Sequence, residues 1–175
     1  MSKKILKCQK VLQEFLDGRE WEDEIRVNEE NQSVQVVCSV DFGEYKDGRL
    51  FIDASDTNSM YGVFFYYPFK CKESKFTEMC VLLNRIHNLH PYGRYELLTS
   101  DGGIRWMQNV DFEGAEPSGQ SIELMVGPGW QALSYWAETI AAVALTKVSA
   151  EEAYQQLVES EANGMGDDAE GPKEL

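Results

Sequence analysis

Two short apolar-rich runs, residues 95–99 and 104–112, flank Asp101-Gly102-Gly103. Glycine accepts positive φ without steric cost, so this composition predicts a tight β-hairpin. In the second run Ile104, Trp106, Val110 and Phe112 fall on one face. Arg105, Met107, Asn109 and Asp111 fall on the other, so one side is expected to be buried. Helical periodicity precedes the hairpin and follows it. A sheet with helices packed on it is therefore the frame that every other segment has to fit.

The rest of the chain reads as follows. Residues 3–16 predict an amphipathic helix, with Ile5, Cys8, Leu12, Phe15 and Leu16 along one stripe and Asp17-Gly18 ending it. Residues 21–27 predict either a short edge strand or a loop. Residues 33–42 alternate strictly and predict a strand. A loop over 43–48, a strand over 50–54 and a turn over 55–59 follow. Residues 60–67 are apolar at successive positions, which suits a central strand that Pro68 would stop. Residues 73–87 predict a second helix, with Ser74 as N-cap and Phe76, Met79, Cys80, Leu83 and Ile86 facing inward. A third helical region covers 118–146, and Pro128 within Gly127-Pro128-Gly129 predicts a kink or a full break. Ser149 and Glu152 form a capping-box pattern ahead of a fourth helix. Together these predict an α+β domain over residues 1–162. Residues 163–175, rich in Gly and acids, predict a disordered tail.

Charge and composition exclude several function classes. The chain of 175 residues is 43% hydrophobic and 26% charged, and its net charge is −14. Residues 151–175 hold eight acids and one Lys, half of that net charge. Phosphate backbones are held by Lys/Arg clusters, and none stands out in the sequence, so nucleic acid is not an expected partner. No run approaches the ~18 apolar residues that would span a bilayer. The first ten residues carry Lys without an apolar leader core. A cytoplasmic protein with no membrane partner is expected. Cys8, Cys38, Cys71 and Cys80 are scattered without a CxxC pair, which predicts free thiols, mostly buried.

Chemistry-bearing patterns are sparse. Helical spacing brings two of Cys80, His87 and His90 together as candidate metal ligands. However, His90 adjoins Pro91, where the helix should have ended, and no carboxylate completes a tetrahedral set. No GxSxG, HExxH or phosphate-binding loop is present. No catalytic residue, metal or cofactor is expected. The aromatic run Phe64-Phe65-Tyr66-Tyr67-Pro68-Phe69 is more informative. A strand shows alternate residues to its two faces, so one helix layer leaves large aromatics on the other face unless the third helical region covers it. Phe64, Tyr66 and Phe69 are the candidate partner or dimer interface.

Several segments in fixed order resemble a known family. Leu83-Asn84-Arg85-Ile86-His87 leads through Pro91-Tyr92-Gly93-Arg94-Tyr95-Glu96-Leu97 to Asp101-Gly102-Gly103-Ile104-Arg105-Trp106. Val110-Asp111-Phe112-Glu113-Gly114 and Ser149-Ala150-Glu151-Glu152-Ala153 come next. The whole is similar to the YbjN family of bacterial sensory-transduction regulators, whose fold is like that of type III secretion chaperones. The resemblance covers about residues 11–158. It implies an α-β-β-β-α-β-β-α order, a tendency to homodimerise, and action by binding protein. It carries no catalytic residues across. The chain departs from the family at Gly127-Pro128-Gly129, and at His87, where Asn is frequent. The expectation is a non-enzymatic, protein-binding regulatory or chaperone-like module that forms a homodimer. The alternative is a small enzyme or ligand-binding protein whose site assembles only in space.

Overall fold

The computed structural model describes residues 5–167, with side chains described to residue 160. Helix α1 (Lys7–Arg19) precedes four strands, β1 (Arg26–Asn28), β2 (Ser33–Phe42), β3 (Tyr45–Ser55) and β4 (Met60–Lys70). Helix α2 (Phe76–His87), strands β5 (Arg94–Leu98) and β6 (Gly103–Asp111), and helices α3 (Gly119–Leu145) and α4 (Ala150–Asp167) follow. The strands form one sheet in the order β1-β2-β3-β4-β6-β5, antiparallel at every pairing. The α+β fold class and the α-β-β-β-α-β-β-α order both stand, with the short edge strand β1 and helix α4 added. The backbone of α4 runs to Asp167, past the boundary expected at 162, and the rest of the expected tail lies outside the described residues.

The helices lie on one side of the sheet. Strand residues of one parity, among them Val36, Cys38, Leu50, Ile52, Phe65 and Trp106, are buried in one cluster with the inner stripes of α1, α2 and α3. Three of the helices begin on carboxylates borrowed from elsewhere in the chain. Asp56, in the β3–β4 turn, accepts the N–H groups of Lys7 and Cys8 at 2.7 and 2.8 Å. Glu14 of α1 accepts the Gly119 N–H at 3.0 Å, and Glu78 of α2 accepts the Ala150 N–H at 2.7 Å. The first turn of a helix leaves N–H groups unpaired and carries positive partial charge, so a carboxylate there both bonds and balances it. Burial and the neighbouring Asp56 push the Cys8 thiol up to about 12, so it is inert.

Several local expectations are corrected. Helix α1 passes through Gly18, and Glu20, at φ 56°, takes the left-handed cap instead. Strand β3 starts at Tyr45 because Gly43, at φ 57°, closes the turn early, and a register shift between Val40 and Phe42 absorbs the extra length. Strand β4 runs through Pro68. Its pairing with β3 ends at Tyr66, and its register with β6 shifts between Tyr66 and Lys70. Pro68 therefore stands where no ladder bond needs its missing N–H. Ser74 does not cap α2: Glu73–Lys75 form a 3-10 turn, and Lys75 is the N-cap without a side-chain bond. Cys80 is exposed, and Leu82 joins Met79, Leu83 and Ile86 inside. The capping box of Ser149 and Glu152 is present.

Helix α3 is not broken at Gly127-Pro128-Gly129. Its buried stripe stays in helical phase across the proline: Ile122 and Val126 before, Gly129 within, Leu133, Trp136 and Ile140 after. Both halves therefore pack on the same sheet face, which outweighs the one hydrogen bond Pro128 removes. At Gly129 α3 comes close to the sheet. A Cβ there would lie 2.5 Å from Trp106 Cζ3 and 2.8 Å from Phe65 Cε2.

Candidate functional site

On the opposite side of the sheet no helix packs among the described residues. The cross-strand register sets out two adjacent rows on this open face. Val37, Phe51, Phe64, Met107 and Arg94 form one row across β2, β3, β4, β6 and β5. Ser39, Arg49, Tyr66, Arg105 and Glu96 form the next. The first row is apolar over four strands, with Val37, Phe51 and Phe64 half-buried and Met107 buried. Beside Phe64, Gly62 contributes no side chain, and a groove of about 630 Å³ runs from it past Gln35 and Asp53 toward Arg26.

The second row is polar and tightly tied. The Arg105 guanidinium lies over the Phe64 and Tyr66 rings, at 5.2 and 5.7 Å from their centroids. It donates to Tyr66 Oη at 2.7 Å and through Nε to Glu96 at 2.8 Å. Arg94 donates to the other Glu96 oxygen at 2.9 Å. Burial alone would raise the Glu96 carboxyl, but hydrogen bonds from Arg105 and Arg94 outweigh it and hold the group below 4.5. The rings of Phe51 and Tyr66 meet edge to face at 5.3 Å. Arg49 bonds to Ser39 Oγ at 2.8 Å and has no carboxylate partner among the described residues.

Of the residues singled out by the aromatic run, Phe64 and Tyr66 stand on this face. Phe69 does not join them. Past the register shift it stacks on Tyr67 at 5.0 Å and meets Tyr45 at 5.1 Å, at the rim of the covered side. Phe69 shares the parity of Phe65 and Tyr67, so strict alternation along β4 already assigns it to the covered side. Phe51, Met107, Arg49 and Arg105 went unrecognised as parts of the site, because the site is made by register between strands. Their alternation was visible, but the pairing that brings them together was not.

The histidines have structural roles. His87 Nε2 accepts the Tyr95 N–H on the outer edge of β5, and His90 Nε2 accepts Trp136 Nε1–H. Among the described residues no three His, Cys, Asp or Glu side chains gather as a metal-binding group. A second hollow, of about 850 Å³, lies at the start of α1 against Leu6, Tyr61 and Phe112, where Asp56 is already engaged as the helix cap.

Burial pushes both imidazoles below 6.5, and each accepts a hydrogen bond that only the neutral ring can take. A depressed folded value means that their contribution to stability is present above the unfolded value of 6.5 and is lost as the pH falls through the folded one. The thermal midpoint should therefore drop between about pH 7 and pH 5, before carboxylate protonation begins. The double variant His87→Gln, His90→Gln should flatten that drop. An equally steep drop in the variant would remove the two histidines as its cause.

No family model matches this sequence, and no curated protein does. Solved structures do match in fold. A chain of the HopA1–SchA chaperone–effector complex aligns with a TM-score of 0.54 at 13% identity, over 76% of this chain and 94% of that one. A chain of the ExsC–ExsE complex aligns with a TM-score of 0.52 at 12% identity, over 75% and 92%. YbjN from E. coli aligns with a TM-score of 0.46 at 10% identity, over 79% and 88%. The likeness is one of fold: the chain shares the α+β architecture of the matched chains of these two complexes. No helix among the described residues is long and apolar enough to cross a membrane.

Proposed function

We propose that this chain is a non-enzymatic protein-binding module, regulatory or chaperone-like, acting in the cytoplasm through the open face of its sheet. The observation that carries this reading is the apolar row Val37–Phe51–Phe64–Met107 on a sheet face that no helix covers among the described residues, continuous across four strands and half-exposed at Val37, Phe51 and Phe64. A one-sided sheet normally turns polar residues to water, so a run of large apolar groups there fits a surface that is covered part of the time. The fold shared with a chaperone–effector complex supports the same reading. So does its resemblance to the YbjN family. A homodimer belongs to this proposal too. Val81 on the outer side of α2, with Leu89 and Tyr92 just beyond the helix, is exposed and can pair with a second copy while the sheet stays free.

The test uses a photo-crosslinking phenylalanine at Phe64 and, as a control, at exposed Leu124 on α3. Irradiated in its own cells, the protein labelled at Phe64 should give discrete protein adducts that the Leu124 label does not give. Equal adduct patterns from both positions, or none from Phe64, would defeat the proposal. Sedimentation equilibrium at micromolar concentration checks the dimer. Val81→Glu with Tyr92→Glu should then halve the mass, and a wild-type monomer would remove the second copy from the scheme.

A further inference from the structure

In its two central rows the open face has a charge opposite in sign to the molecule. Arg26, Arg49, Arg94 and Arg105 all stand on it by register, leaving only Arg19 and Arg85 for the rest of the chain. In the two central rows three guanidiniums meet one carboxylate, that of Glu96. The other carboxylates of the face, Asp41, Asp53 and Asp111, lie outside these two rows. Asp53 accepts from Gln35 at 2.8 Å, Asp41 pairs with Lys46 at 3.1 Å, and Asp111 sits at the far end of β6. A chain of net charge −14 thus places four of its six arginines on the face that carries this apolar row. Arginine offers a planar fork of donors that matches a carboxylate, and Arg49 has donors left over.

Resting on the protein-binding reading, we infer that the partner is an acidic protein segment with apolar anchors. Its large apolar side chains lie along Val37–Phe51–Phe64–Met107, and its carboxylates pair with Arg49 and with the Arg94–Arg105 pair. The geometry specifies the spacing. Strands lie ~4.8 Å apart, so the apolar row extends roughly 14 Å, longer than one side chain and suited to several. The arginine row lies two residues further along the strands, about 7 Å away. A segment fits when apolar and acidic side chains alternate at that distance on one of its faces. This is i and i+2 in an extended chain, or i and i+3 or i+4 in a helix.

Two other occupants fit less well. A second copy would set the same arginine-rich face against itself, like charge on like. Single-stranded nucleic acid stacks its bases on free aromatic faces. Here the Phe64 and Tyr66 rings already carry Arg105.

A displayed library of random 16-residue peptides, panned on the full chain, is the test. Enriched peptides should carry Asp or Glu beside aromatic or aliphatic residues. Their affinity should fall about tenfold in Arg49→Gln, the size of one lost charge-assisted pair. It should also fall between 50 and 500 mM NaCl. Arg49 is exposed, so that variant should keep the wild-type thermal midpoint. Peptides that depend on Phe64 yet are neutral or basic, or that ignore Arg49, would overturn the acidic partner and leave the protein-binding reading standing. No enrichment at all would overturn both. A Phe64→Glu variant that halves the sedimenting mass would assign the face to a second copy. Tight binding of a fluorescent oligo-dU would assign it to nucleic acid. Either result also overturns the inference.

Discussion

Trp106→Ala should lower the free energy of unfolding by about 3–5 kcal/mol, the cost of a large aromatic removed from a closed core. Trp106 is 1% exposed, at the centre of the covered side, with its ring centroid 6.0 Å from that of Phe65. Two backbones close on it: a Cβ on Gly93 would lie 2.1 Å from its Cζ2, and one on Gly129 would lie 2.5 Å from its Cζ3. Glycines shaped around an indole cannot collapse into the space it leaves, so the site should sit at the costly end. The indole N–H has no hydrogen-bond partner among the described residues, so the loss is one of packing. Urea unfolding followed by circular dichroism gives the number. A change below about 1 kcal/mol would mean that the space refills.

Gly129→Ala should destabilise by about 1–3 kcal/mol although alanine is the better helix former. Propensity alone favours alanine by up to ~1 kcal/mol. Opposing it, the added methyl meets two rigid rings, Trp106 and Phe65, at distances that side chains do not tolerate. Gly18 supplies the matched control: it is helical and exposed, with nothing within 4 Å of an added Cβ, so Gly18→Ala should be neutral or stabilising. Adding Trp106→Phe to Gly129→Ala should recover part of the loss, as neighbours that clash are coupled. Equal effects at Gly18 and Gly129 would show that helix propensity decides both and that the close approach is unimportant.

Ser33–Phe42 could be read from the sequence because alternation is a local signal, and the strand has those bounds. The unbroken α3 was legible too, in the phase of Ile122, Val126, Leu133, Trp136 and Ile140 across Pro128. A proline costs one bond locally, whereas the stripe is stabilised by the whole sheet beneath it. Ser74 does not cap α2 because it lies inside the 3-10 turn Glu73–Lys75 that leads into the helix. The Ser149–Glu152 box of α4 was a local pattern, whereas the carboxylates of Asp56, Glu14 and Glu78 reach α1, α3 and α4 from distant positions that no local pattern reveals. The site divides in the same way. Phe64 and Tyr66 follow from alternation within one strand, while Arg49 and Arg105 join them through pairings between strands.

The one-sided sheet also divides the protein optically. Trp21, Trp106, Trp130 and Trp136 all belong to the helix-covered side, where Trp21 meets Trp130, Trp130 meets Phe65, and Trp136 stacks on Tyr154. The open face carries only phenylalanine and tyrosine rings. Indole emission therefore reports the integrity of the core and is blind to whatever settles on the other side. A titrant that leaves this emission unchanged has not been shown to be a non-binder, and a tryptophan introduced by a partner would shine against a constant background.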